Sequence, residues 1–191
     1  MTTHQEFVDQ ILDMEWSMFI QVKADRPAPC QGAPVNFRKI RGSIFEIWTD
    51  EMLASYLNDL VIARDEGRNL LTEKYARMDN LIRPLKSHAI IEKIVAIESR
   101  WQTEIQGKYP FLYEHYCRKS DPTGDGRDFS VYLKCELETY GDHTLDLYYE
   151  NLNTAYEMDI NLALNALQRL VQNSGYHDLN HAEIHLNKTT E

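Results

Sequence analysis

Apolar residues recur three and four positions apart along nearly the whole chain, the spacing of a single buried face on an α-helix. The pattern predicts a first helix over Thr3–Val22 that buries Phe7, Val8, Ile11, Leu12, Met18, Phe19 and Val22. Residues 24–36 hold Pro27, Pro29, Gly32 and Pro34, a proline density that stops both helix and central strand. A loop is expected there, with Cys30 and Gln31 at its centre. Phe37–Trp48 reads as a short helix with a break near Gly42. Thr49 is a good N-cap for a helix carrying Met52, Leu53, Tyr56, Leu57, Leu60 and Val61, which Gly67 ends. Leu70, Leu71, Tyr75, Met78 and Ile82 mark another helix that runs until Pro84.

Ser87–Ile105 is the clearest helix, built on Ile90, Ile91, Ile94, Ile97, Trp101 and Ile105, with Gly107 and Pro110 ending it. Phe111–Tyr116 alternates in a strand-like way, but such stretches are too few to build a sheet. Residues 121–129 are turn-rich. Ser130 caps a helix through Tyr140, Gly141 interrupts, and Thr144 caps a long helix or helix pair reaching Asn173. A short final helix follows Gly175, with residues 186–191 expected to fray. No internal repeat or domain linker interrupts this pattern. The expectation is one all-α domain over residues 1–191, a bundle of about six to eight helices.

Against that background four ionisable side chains fall on the faces that should be buried: Glu15, Lys74, Glu98 and Glu136. Glu15 lies among Ile11, Leu12, Met18, Phe19 and Val22, and Glu98 lies between Ile94, Trp101 and Ile105. Glu136 is flanked by Tyr132 and Tyr140, on the face opposite Lys134 and Glu138, while Lys74 follows Leu70 and Leu71 and precedes Met78. An unpaired buried charge costs several kcal/mol or more, so these groups must be paired, neutralised or used. A shared internal polar pocket is the functional expectation; separate structural ion pairs are the bland one. Two carboxylates in different surroundings can divide into acid and base, and a lysine among apolar groups can serve as a base or Schiff-base nucleophile. Arg41 and Arg68 could clamp a carboxylate or phosphate, and Tyr56, Tyr75 and Tyr140 could donate hydrogen bonds.

Composition narrows the partners. With 191 residues, 43% hydrophobic and 26% charged, the chain can bury a real core. A net charge of −10 argues against nucleic acid or an anionic membrane as the main partner. No stretch approaches a membrane span or a signal peptide's apolar run. Cys30, Cys117 and Cys135 lack zinc-like spacing and read as reduced thiols, so a cytoplasmic protein is expected. Homodimerisation through exposed tyrosines such as Tyr149 is open.

Other motifs are incomplete. A carboxylate-bridged di-iron centre usually needs two Glu-x-x-His pairs, and the chain has none. His177-Asp178 with His181 and His185 resembles part of a metal phosphohydrolase set, but no later aspartate follows; a solvated, metal-scavenging tail is the simpler reading. Asp121, Thr123, Asp125 and Gly126 open like a calcium loop whose twelfth position is Tyr132 instead of glutamate.

Several strings occur together in order: Glu15-Trp16 with Met18-Phe19, Cys30-Gln31, Ser55-Tyr56-Leu57 with Asp59-Leu60, Gly67-Arg68-Asn69-Leu70, Glu73-Lys74-Tyr75-Ala76, Glu136-Leu137 with Thr139-Tyr140, and Gly175-Tyr176 with Ala182-Glu183. Together they resemble a bacterial family catalogued as domain of unknown function 4125. The resemblance implies a stand-alone helical protein and supplies no reaction or cofactor. It marks Glu15, Cys30, Gln31, Tyr56, Asp59, Arg68, Asn69, Glu73, Lys74, Tyr75, Glu136 and Tyr140 as matching the family's recurring polar positions. Glu98 and the histidine-rich tail fall outside them, and Gly42-Ser43-Ile44 after Arg41 departs from the family pattern.

The leading expectation is a small-molecule protein performing acid–base chemistry on a carboxylate-bearing metabolite. Glu15, Lys74 and Glu136 are its catalytic candidates, and Arg68, Tyr56, Asn69, Tyr140 and Gln31 its ligand-binding candidates. A non-catalytic binding or adaptor module with structural ion pairs, and a di-iron oxidase, are the alternatives.

Overall fold

Short polar side chains and a few left-handed residues set where the helices begin and end. In a computed structural model, which describes residues 3–23, 29–118 and 128–189, α1 (His4–Phe19) starts on a capping box. Thr3 accepts from the Glu6 amide while Glu6 reaches back to the Thr3 amide. After a 3₁₀ turn (Pro29–Gly32) come α2 (Pro34–Phe45) and α3 (Asp50–Asp65), the latter capped by Thr49 as expected. Gly67, at φ +72°, closes α3 with a left-handed turn whose following amide, Arg68, bonds back to the Ala63 carbonyl.

The remaining elements are α4 (Leu70–Met78), α5 (Ala89–Lys108), α6 (Pro110–Tyr116), α7 (Phe129–Leu137), α8 (Asp142–Glu157), α9 (Leu162–Asn173) and α10 (Leu179–Thr189). The described residues are all helical in their regular structure, with ten α-helices where six to eight are expected. One proline adds a helix, Pro110 at the start of α6, and another, Pro34, begins α2 before the expected Phe37. Pro34 and Pro110 each occupy the first turn of a helix, where the missing amide costs nothing, so positions that read as stops are starts. The strand-like Phe111–Tyr116 stretch is therefore the body of α6. α4 ends at Met78, short of Pro84, because Asn80 takes a left-handed φ of +55° and the Leu81 amide bonds back to the Ala76 carbonyl. α10 continues to Thr189 with Leu186 buried, past the point where fraying is expected. Of the turn-rich stretch, residues 121–127 lie outside the described residues, so the calcium-loop reading is not addressed there; Asp128 caps α7.

The helices share two buried clusters. The larger is built from α1–α5, α7 and α8, with Ile11, Phe45, Leu53, Leu60, Ile94 and Leu145 fully enclosed. The smaller joins the end of α5 to α6, α9 and α10 through Ile105, Leu112, Val171 and Ala182. α2 spans the two by packing on both α1 and α9. A side chain of α3 also holds α8: Asp59 accepts from the Gly141 amide at 2.8 Å and from the Thr144 hydroxyl at 2.6 Å, and Thr144 pairs with Ser55 at 2.7 Å. It thereby caps a helix whose own N-cap residue has no side chain. A methyl group on Gly141 would run into the Asp59 carboxylate. Gly141→Ala should therefore cost about 1–3 kcal/mol by displacing this cap, measured as a lower urea midpoint with an unchanged slope.

Candidate functional site

Five helices and one turn each bring a polar group to the same enclosed space. Glu15 from α1, wholly inaccessible, is gripped by Arg41 of α2 through two hydrogen bonds of 2.8 and 2.5 Å. The same guanidinium reaches Glu136 of α7 at 2.8 Å, and Lys74 of α4 takes that carboxylate's other oxygen at 2.6 Å. Tyr56 of α3 donates to Glu15 at 2.8 Å, and Tyr140, in the turn after α7, donates to Glu136 at 3.0 Å. The two phenol rings pack with centroids 4.7 Å apart. Glu15, Lys74 and Glu136 thus meet as the pattern of apolar faces suggests. Arg41 is the cation joining them.

Burial opposes ionisation of Glu136, but Arg41 and Lys74 outweigh it and hold the carboxyl far below the usual range. Burial likewise works against the charge of Arg41, yet Glu136 and Glu15 raise it well above its ordinary value. Tyr56 and Tyr140 are pushed up, first by burial and then by the neighbouring carboxylates, so both stay protonated donors. The network is a charged, self-neutralising set: two carboxylates against two cations.

Glu98 does not join it. Its carboxylate accepts from Tyr148 of α8 at 2.9 Å, and the Tyr148 ring lies against Trp48, whose other ring neighbours are Phe45, Tyr56 and Tyr140. An aromatic layer therefore stands between Glu98 and the network. Burial raises Glu98 to about 7, only partly offset by the Tyr148 hydrogen bond.

Three ligand-binding candidates are likewise occupied elsewhere. Gln31 donates to the carbonyls of Phe19 and Val22 at 2.9 Å each, and Asn69 donates to Met18 O at 2.9 Å while capping α4. Both finish the C-terminal end of α1, where carbonyls lack helical partners. Arg68 forms a two-pronged pair with Glu73 at 2.8 Å and contacts Glu66 on the surface. Tyr149 is half-buried against the core with Lys93 over its ring.

Other polar groups were not legible from the apolar pattern. Glu138, 1% exposed, takes two bonds from Arg77 and one from the Leu85 amide, pinning the segment between α4 and α5. It lies just past the end of α7, where helical periodicity no longer tells inside from outside. Tyr132, pushed up by burial first, has two cations close to its ring: Lys74 Nζ is 3.6 Å and the Arg118 guanidinium 4.2 Å from the centroid.

The network borders a cavity of about 430 Å³. Arg41, Lys74 and Tyr132 form part of its wall, with Arg118, Ser43 and Gln102 as further polar members and Phe19, Phe37, Ile40, Ile44, Leu71 and Leu167 as apolar ones. Its α9 side is lined by Ala163 and Ala166, one turn apart, whose small side chains leave the room. Cys117 also lines it, with burial pushing the thiol up to about 12, so no reactive thiolate is available near neutrality. Among the described residues no group of three or more His, Cys, Asp or Glu is placed to hold a metal ion, and each network glutamate faces cations.

A family model described as a protein of unknown function, DUF4125, matches residues 5–184 of the 191-residue chain. No significant match was found among curated proteins or solved structures. Among the described residues no helix is long and apolar enough to cross a membrane.

Proposed function

Since the chain belongs to the DUF4125 family, whose description assigns no activity, we propose from the site alone that it binds a small amphipathic carboxylate in the cavity beside the ion network. One observation carries this reading: Arg41 and Lys74 belong both to the buried network and to the wall of the 430 Å³ cavity. Volumes of this size, mostly apolar with a few placed polar groups, suit small ligands. The glutamates engage Nε and Nη2 of Arg41, so neither contact needs Nη1. A guanidinium and an ammonium already fixed from behind are preorganised donors and lose little side-chain freedom on binding. Because Glu15 and Glu136 already balance two charges, a monoanion fits better than a multiply charged phosphate.

Proton transfer by Glu136 finds less support. A carboxylate held far below its usual range is a weak base near neutral pH and has no proton to give. The mutual satisfaction of the four charges favours a second reading, in which they only fix helix register. Titration calorimetry separates the two. Under the binding reading phenylacetate should bind at least about tenfold more tightly than phenylacetamide, a gap of about 1.4 kcal/mol. Ala166→Leu, which fills the cavity from α9, should abolish phenylacetate binding while shifting the thermal midpoint by only a few degrees. Equal or undetectable binding of acid and amide would leave the register role standing.

A further inference from the structure

Deepening that reading, and resting on it, we infer that the bound acid also carries an N–H or O–H group, which donates to Gln102 from within the cavity. Gln102 Oε1 is the buried side-chain polar atom without a hydrogen-bond partner among the described residues. Its residue lies on α5 in the wall of the same cavity as Arg41 and Lys74. Leaving such an acceptor dry has a free-energy cost, and folded proteins rarely tolerate it without a reason. Elsewhere in this interior the comparable groups are satisfied: Glu15, Glu136, Glu138, Tyr56 and Tyr140 all have partners.

The last torsion of a glutamine is soft, so a small rotation turns Oε1 toward the cavity. Among the described residues none donates to it. The neighbouring Ser43 hydroxyl is already committed to the Ile40 carbonyl, and α9 offers only alanine and leucine methyl groups along its cavity face. A ligand donor would therefore meet an acceptor with no other use. A site that leaves a buried acceptor unpaired discriminates strongly against an analogue lacking the donor. The ligand class becomes a monocarboxylate with an apolar body and a neutral hydrogen-bond donor away from the acid, such as a hydroxyaryl or hydroxyalkyl acid.

The test uses matched pairs on the intact chain: 3- and 4-hydroxyphenylacetate and 6-hydroxyhexanoate, each against its O-methyl ether. At least one hydroxy acid should bind about tenfold or more tightly than its ether. Gln102→Met, of similar length and without an acceptor, should erase that preference while retaining affinity for the ether. It should also raise the thermal midpoint of the unliganded protein by about 2–4 °C, since an orphaned acceptor is gone. Hydroxy acids and ethers binding equally to the natural chain would overturn the Gln102 role and leave carboxylate binding intact. If no acid binds at all, both fail together. A preference that survives in Gln102→Met would place the donor's partner elsewhere and also defeat the inference.

Discussion

Replacing Arg41 by methionine should destabilise the protein by about 3–5 kcal/mol, the cost of leaving a buried carboxylate without its cation. Glu15 has no solvent contact, and its remaining partner would be the Tyr56 hydroxyl. Glu136 would keep Lys74 and lose its other cation. For a chain of this size the thermal midpoint should fall by about 10–15 °C. Adding Glu15→Gln, which keeps an acceptor for Tyr56 and removes the stranded charge, should recover about 2–3 kcal/mol of the loss. Denaturant titrations of the two single variants and the double variant measure that coupling. Additive losses would mean that Arg41 and Glu15 act independently, contrary to their two-pronged contact.

Glu98→Gln should act in the opposite direction, and only above the acidic range. The fold raises this carboxyl from about 4.5 to about 7, so ionising it is harder in the folded chain than in the unfolded one. Its favourable contribution is fully present below the unfolded value, near 4.5, and is lost as pH rises through 7. A shift of that size corresponds to about 3 kcal/mol above neutrality. Glutamine preserves the bond to Tyr148 and removes the ionisation. The variant should match the natural chain at pH 4.5 and exceed it by about 2–3 kcal/mol at pH 8, read from urea midpoints at both values. An equal effect at both would show that Glu98 is not titrating in this window.

The contrast between these residues shows how far the sequence reaches. Periodicity identifies Glu15, Lys74, Glu98 and Glu136 as pointing inward, and the structure buries all four. It gives a direction around each helix axis but not a position between helices. Glu98 consequently ends behind Trp48, while the other three converge. Arg41 follows from no pattern, because a long cation beside Gly42 can lie in or out, and only the packing of α2 on α1 decides it. Glu138 escapes for a different reason, lying where the helix has already ended. Gln31, Asn69 and Arg68 are polar for local causes, closing α1, capping α4 and pairing on the surface. Polarity along the sequence does not by itself separate a cap from a ligand contact.

The wiring of the ion network also bears on how the chain comes together during synthesis, when the N-terminal part emerges first. Glu15, Arg41 and Tyr56 satisfy one another, and all three are made early. Lys74 has no such early partner: the carboxylate it holds is 62 positions further on, in α7. Before that helix is made the ammonium has no carboxylate to pair with, so burying it then would carry the full cost of an unpaired charge. Docking of α7 is then the step that seals this region, and the cavity wall containing Lys74 and Tyr132 comes into being only with it.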